Sequence, residues 1–81
     1  MNQDEIDQHI SINPGILLGK PVIRGTRIPV YLIVGFVESG HAPEEIVDDY
    51  PDLTLEDIQA ALAFSRLERE RTEVRPLFKN A

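Results

Sequence analysis

"GKPVIRGTRIPVYLIVGF", residues 19–36, decides how this chain folds. It sets Arg24 and Arg27 around a glycine, continues through Pro29, and ends in an almost unbroken apolar run. Two readings compete: a phosphate-gripping loop, or a hairpin that turns straight into a buried helix. A phosphate loop requires Ser or Thr after its lysine, and here Pro21 follows Lys20, so the motif fails. The hairpin reading meets no such objection. Val22 and Ile23 are β-branched and precede Arg24-Gly25, which predicts a short strand closed by a tight turn at Gly25. Pro29 suits the first position of a helix, where its missing N–H costs nothing. Residues 30–37 are apolar almost all round, and a helix of that kind is buried on every side.

Upstream, Ile10 and Ile12 alternate with Ser11, which predicts a first short strand, and Asn13-Pro14-Gly15 is a turn signal. Downstream, Gly40 is a candidate helix terminator, because a residue tolerating positive φ ends a helix cheaply. Pro43 opens a second, short helix with Glu44 and Glu45 in its first turn, where the helix dipole favours negative charge. Ile46, Val47 and Tyr50 form its inner face. Tyr50 precedes Pro51 and is pushed out of the helical region. The third helix has the clearest start: Thr54 caps it, Asp57 stands where a capping box places its acid, and Leu53 can staple onto Ile58. Ile58, Ala61, Leu62 and Ser65, with Phe64 and Leu67 beside them, give a wide apolar stripe. The charged run that follows prolongs this helix until Arg75 meets Pro76. The expected fold is mainly α: a short N-terminal β-hairpin, then a three-helix, homeodomain-like helix-turn-helix bundle. That unit covers residues 1–65, and residues 66–81 form a charged helical extension and tail.

Eighty-one residues make one domain, which buries only ~60% of its unfolded surface. No cysteine is present to add a disulfide or a thiolate metal site. The start, "MNQDEIDQHI", is acidic and polar, unlike a secretory signal, and the apolar run at residues 30–37 is far shorter than the ~20 residues a bilayer span needs. The expected location is therefore the cytoplasm. A small core with surplus apolar surface predicts a homodimer, joined through the hairpin and the first helix by Ile10, Ile12, Val30, Ile33, Val34 and Val37.

The net charge of −6 is unevenly spread. Residues 41–65 hold Glu44, Glu45, Asp48, Asp49, Asp52, Glu56 and Asp57 with no Lys or Arg, whereas residues 66–81 hold Arg66, Arg69, Arg71, Arg75 and Lys79 against three glutamates. Nucleic-acid binding needs a positive surface, and the middle of the chain is the reverse. Any operator contact therefore falls to Lys20, Arg24 and Arg27; the bland reading has the two arginines paired with carboxylates of the same domain or of a dimer mate. The face that a recognition helix would offer, Thr54, Glu56, Asp57, Gln59 and Ala60, carries two carboxylates that repel phosphate. His9 and His41 have no ligand-spaced partners and read as surface histidines. Asp48, Asp49 and Asp52 could hold Mg²⁺, but they straddle a helix end and a turn where Asp is common for local reasons. No catalytic residue, metal ligand or cofactor is expected.

"GKPVIRGTRIPV" followed by "ESGHAPEEIVDDYPDLTLEDIQAAL" resembles the small prokaryotic family known as domain of unknown function number 433, over about residues 10–65. Ala42 stands where that family often has a serine cap. The resemblance implies a helix-turn-helix fold preceded by short strands, similar to VapB-type antitoxins and often encoded beside a PIN-like nuclease toxin. It implies a non-catalytic, protein-binding regulator that neutralises such a toxin, with operator DNA as a further partner. The alternative is a DNA-binding transcriptional regulator with no toxin partner. In the antitoxin reading the tail is the toxin-binding arm, through Arg71, Arg75, Leu77, Phe78 and Lys79.

Overall fold

The computed structural model describes residues 1–74 of the chain. These residues form four helices and a short two-stranded antiparallel hairpin. The longest element, α4 (Leu55–Val74), starts as its sequence dictates. The Asp57 N–H donates to Thr54 Oγ1 at 3.1 Å and the Thr54 N–H donates to Asp57 Oδ2 at 3.0 Å, a reciprocal capping box. Leu53 and Ile58, the stapling pair, are both buried in the core. Ile58, Ala60 and Ala61 are fully buried and Ala63 nearly so, because α4 packs against three other helices together, α1 (Gln3–His9), α2 (Val30–Glu38) and α3 (Pro43–Asp49). Ala60 is thus part of the core rather than of an outward recognition face. Three alanines on a helix packed this way let neighbouring backbones approach closely.

Helix α2 (Val30–Glu38) begins after Pro29, which sits just outside it with φ −75° and ψ 147°. Its end is a Schellman motif: the His41 N–H donates to Phe36 O at 3.0 Å, the Gly40 N–H donates to Val37 O at 3.0 Å, and Gly40 takes φ +98°. Helix α3 (Pro43–Asp49) has Ala42 at its N-cap, with no side-chain acceptor to offer. Only half a capping box survives there, the Ala42 N–H donating to Glu45 Oε1 at 3.1 Å. Tyr50, before Pro51, leaves the helical region with φ −125° and ψ 84°.

A fourth helix, α1 (Gln3–His9), precedes the hairpin and departs from the three-helix expectation. Asn2 and Glu5 form its capping box: the Glu5 N–H donates to Asn2 Oδ1 at 2.8 Å and the Asn2 N–H to Glu5 Oε1 at 3.2 Å. Ile6 is its one buried residue. With so little apolar content there is no period to detect, and a helix this short stands through its tertiary contacts, chiefly with α4.

The hairpin joins β1 (Ile10–Ser11) to β2 (Val22–Ile23), with Ile10 opposite Ile23 and Ser11 opposite Val22. On its other side β2 meets the segment leading into α2, through Ile23 N–H to Ile28 O and Val30 N–H to Pro21 O, both 3.0 Å. Gly25, at φ +82°, makes the turn between them. Thr26 Oγ1 braces that turn, donating to Ile23 O at 2.8 Å and accepting from the Ile28 N–H at 3.0 Å. Residues 19–36 are therefore a hairpin strand running into a helix.

The apolar helix is nevertheless two-faced. Val30, Ile33 and Val34 point into the protein's own core, whereas Tyr31, Gly35 and Glu38 are exposed. Ile10 is buried as well. Four of the six residues expected at a dimer interface, Ile10, Val30, Ile33 and Val34, are thus already covered within one chain. Val37 is half-buried, and Ile12 alone is largely exposed, at 60%. Among the described residues no helix is long and apolar enough to cross a membrane.

Candidate functional site

The cations of residues 19–36 divide into three roles. Arg24 is not free to meet a phosphate. Its guanidinium donates to Asp7 O at 2.8 Å and Ile10 O at 2.7 Å, and its Nε donates to Gln8 O at 3.1 Å. These carbonyls belong to the last turn of α1 and to β1, so Arg24 caps the helix and ties it to the hairpin. Its partners are backbone carbonyls, not the carboxylates of the bland reading. Arg27 is exposed and makes no hydrogen bond or ion pair among the described residues. It borders a shallow hollow of about 340 Å³ with Ser11, Ile16, Val22, Gly25 and Thr26. Lys20 lies elsewhere: its ammonium stands 5.3 Å from the centre of the Tyr31 ring, a cation–π contact.

Lys20 and Tyr31 open onto a second cleft, of about 360 Å³, lined also by Pro21, Val30, Phe64 and Glu68. Its walls are mainly carbon, and it runs between the hairpin, the start of α2 and the middle of α4. Tyr31 is 61% exposed beside it. Next along the chain, the loop before β2 presents Leu17 and Leu18 outward, Leu18 at 93% exposure. Sequence reasoning passed over these residues. The available signal was a Leu-Leu pair between two glycines, apolar content where a loop has no use for it.

Two acids of the stretch serve the fold, Glu45 at the start of α3 and Asp57 at the start of α4. Asp57 closes the α4 capping box with one oxygen and meets His9 Nδ1 with the other, at 2.7 Å. His9 is therefore a partly buried tie between α1 and α4, contrary to the expectation of a surface histidine. His41 is exposed as expected, its Nδ1 3.1 Å from Phe36 O. Among the described residues no group of three or more His, Cys, Asp or Glu side chains is placed to hold a metal ion. At the far end of α4, Arg69 reaches Glu38 of α2 at 3.1 Å, and Arg71 reaches Glu68 at 3.2 Å. Arg75, Leu77, Phe78 and Lys79, expected to contact a toxin, lie outside the described residues.

Fold and surface together define a class: a small, mainly helical domain preceded by a two-stranded hairpin. Residues 10–65 match the family described as protein of unknown function (DUF433), and the chain belongs to it. A crystal structure of a DUF433 member from Anabaena variabilis superposes with a TM-score of 0.73 at 30% identity, covering 90% of this chain and 82% of that one. The uncharacterized protein y4eO of Sinorhizobium fredii is 39% identical over 56 residues, 69% of this chain. That match covers 25% of y4eO, so the chain spans about a quarter of this curated relative's length.

Proposed function

We propose that the chain is a non-catalytic, antitoxin-like regulator that binds and neutralises a PIN-like nuclease toxin through the arginine-bearing end of α4 and the tail beyond it. The observation that carries this reading is how α4 outruns its own core. Leu67 is its last half-buried described residue, and Glu68, Arg69, Glu70 and Arg71 are all exposed. A helix that continues past its last core residue is suited to present side chains to a second protein. Among the described residues Arg71 is held by an exposed pair one turn away, an interaction of at most about 0.5 kcal/mol, so its guanidinium can exchange partners at little cost. A PIN-like active site gathers carboxylates around Mg²⁺, and a guanidinium inserted there would pair with them bidentately. In sequence, Arg75, Leu77, Phe78 and Lys79 follow with further charge and two apolar anchors. The resemblance to VapB-type antitoxins supports the same reading, as does the order of α2, α3 and α4, which we read as a homeodomain-like helix-turn-helix with its turn at Pro51-Asp52. The test is nuclease inhibition: the full chain should silence a PIN-like nuclease encoded beside it at one-to-one stoichiometry. Undiminished cleavage at saturating excess would reject the proposal.

The second reading, operator binding without a toxin, rests on Arg27. Among the described residues its guanidinium has no partner; it lies in the Gly25 turn after β2, and Lys20 lies just before that strand. Lys20 and Arg27 would carry the contact, since Arg24 is engaged with α1. The start of α4 is poorly suited to base reading, because Glu56 is exposed there, Asp57 is engaged and Ala60 is buried. A gel shift by the chain alone, lost in Arg27→Ala, would favour this reading over the first.

A further inference from the structure

The carbon-lined cleft of about 360 Å³ has α4 as one wall, through Phe64, Ser65 and Glu68. Pro21, Val30 and Tyr31 supply the rest of its carbon. Tyr31 is 61% exposed and Phe64 only half-buried, so two aromatic rings border a hollow that residues 1–74 leave open. We infer that the cleft is the resting place of this chain's own tail, with Phe78 seated between Tyr31 and Phe64.

The direction of α4 supports this occupant. Residues three and four apart share a helix face, so the row of Phe64 and Glu68 continues through Arg71 to Arg75. From Phe64 to Arg75 the helix repeat completes about three turns, which returns to the same side. Pro76 follows in sequence, and a residue before proline is pushed out of the helical region. The chain therefore leaves the helix above the cleft. Its reach also fits. At the helical rise, Val74 stands about 9 Å along the axis from Glu68 and about 15 Å from Phe64. Extended chain from Val74 to Phe78 spans at most about 14 Å, so a reversal at Pro76 brings the Phe78 ring level with the cleft. Leu77, one residue nearer, comes to its near rim. Phe78 is the one aromatic residue after Phe64, and burying it there removes apolar surface of both partners from water. Docking asks nothing of Glu68, whose carboxylate is paired with Arg71 at 3.2 Å. A segment tethered this closely has an effective concentration of order millimolar, which favours it over a second copy. Docking concerns the free chain and its test holds no nuclease, so its failure and that of the nuclease reading are separate results.

The experiment compares the full chain with Phe78→Ser in the full chain. Nitration by tetranitromethane is read at Tyr31 by peptide mass, with Tyr50 as the internal reference. Tyr31 should react about threefold more slowly in the wild type, the factor for a docked state holding about two-thirds of the population. The ratio should not change over about a tenfold range of protein concentration, because the contact lies within one chain. Nuclear Overhauser cross-peaks should join the Phe78 ring to the rings of Tyr31 and Phe64, and should be absent in Phe78→Ser. Equal nitration of Tyr31 in both proteins with no such cross-peaks overturns the proposal. So does protection that grows with concentration, which would give the cleft to a second copy.

Discussion

Replacing Arg24 with alanine should destabilise the fold without touching any binding surface, and the size of the effect follows from three bonds. Its guanidinium and Nε donate to Asp7, Gln8 and Ile10 carbonyls, at 2.8, 3.1 and 2.7 Å. A hydrogen bond of this kind contributes roughly 0.5–1.5 kcal/mol net, toward the low end where water can compete. The bonds to Asp7 and Gln8 are exposed and that to Ile10 is partly buried. The expected loss is therefore about 2 kcal/mol. For a domain of this size that lowers the melting temperature by roughly 8–16 °C. Arg24→Lys keeps the charge but offers one compact donor instead of a fork, and should recover no more than about half of the loss. Circular dichroism melts give the stability. Amide exchange gives the location, because α1 is too short to stand alone and should lose protection at Ile10, whose N–H closes the helix on Ile6. An Arg24→Ala protein that melts within about 2 °C of the wild type, or that exchanges evenly along the chain, would refute the reasoning.

Asp57→Ala should cost about 2–3 kcal/mol, since it removes both half of the α4 cap and the bond to His9, and a double-mutant cycle with His9→Ala in urea should show coupling of about 1 kcal/mol. Gly40→Ala should lose about 1 kcal/mol in the same unfolding assay, because alanine is strained at φ +98° while no neighbour obstructs its methyl. Ile33→Ala, at a position with no exposure, should lose about 2–5 kcal/mol and leave the domain partly unfolded at 37 °C. Arg27→Ala should leave the melting temperature unchanged; if the chain binds an operator, it should also reduce the slope of log affinity against log salt by about one per lost phosphate contact.

How much of this was legible in the sequence depends on the range of the interaction. Local signals read true: the Thr54–Asp57 box, the Gly40 terminator, the Tyr50-Pro51 stop and the Gly25 turn each depend on residues within four positions. Helix α1 also starts with a local signal, Asn2 and Glu5, but its single buried isoleucine gave no periodicity to support it. Contacts across the chain were out of reach. Nothing at Arg24 announces that Asp7 and Gln8 will end a helix beneath it, and nothing at His9 announces an aspartate 48 residues away. The apolar run of residues 30–37 misled for a related reason: composition counts faces but does not say how many of them α4 covers. The outward turn of Leu17 and Leu18 depends on a positive φ at both residues, which is not written in two leucines.

The central claim is that a partner nuclease is gripped by what extends past the core of α4. The direct measurement is calorimetric titration of a PIN-like nuclease with the full chain, with the chain ended after Thr72, and with Arg71→Glu in the full chain. All three should give the same melting temperature apart from small shifts, since residues 68–71 are exposed. The account predicts tight binding by the full chain, and a loss of at least tenfold, about 1.4 kcal/mol, in each of the other two. Equal affinity for all three proteins would contradict it and move the interface off the arm.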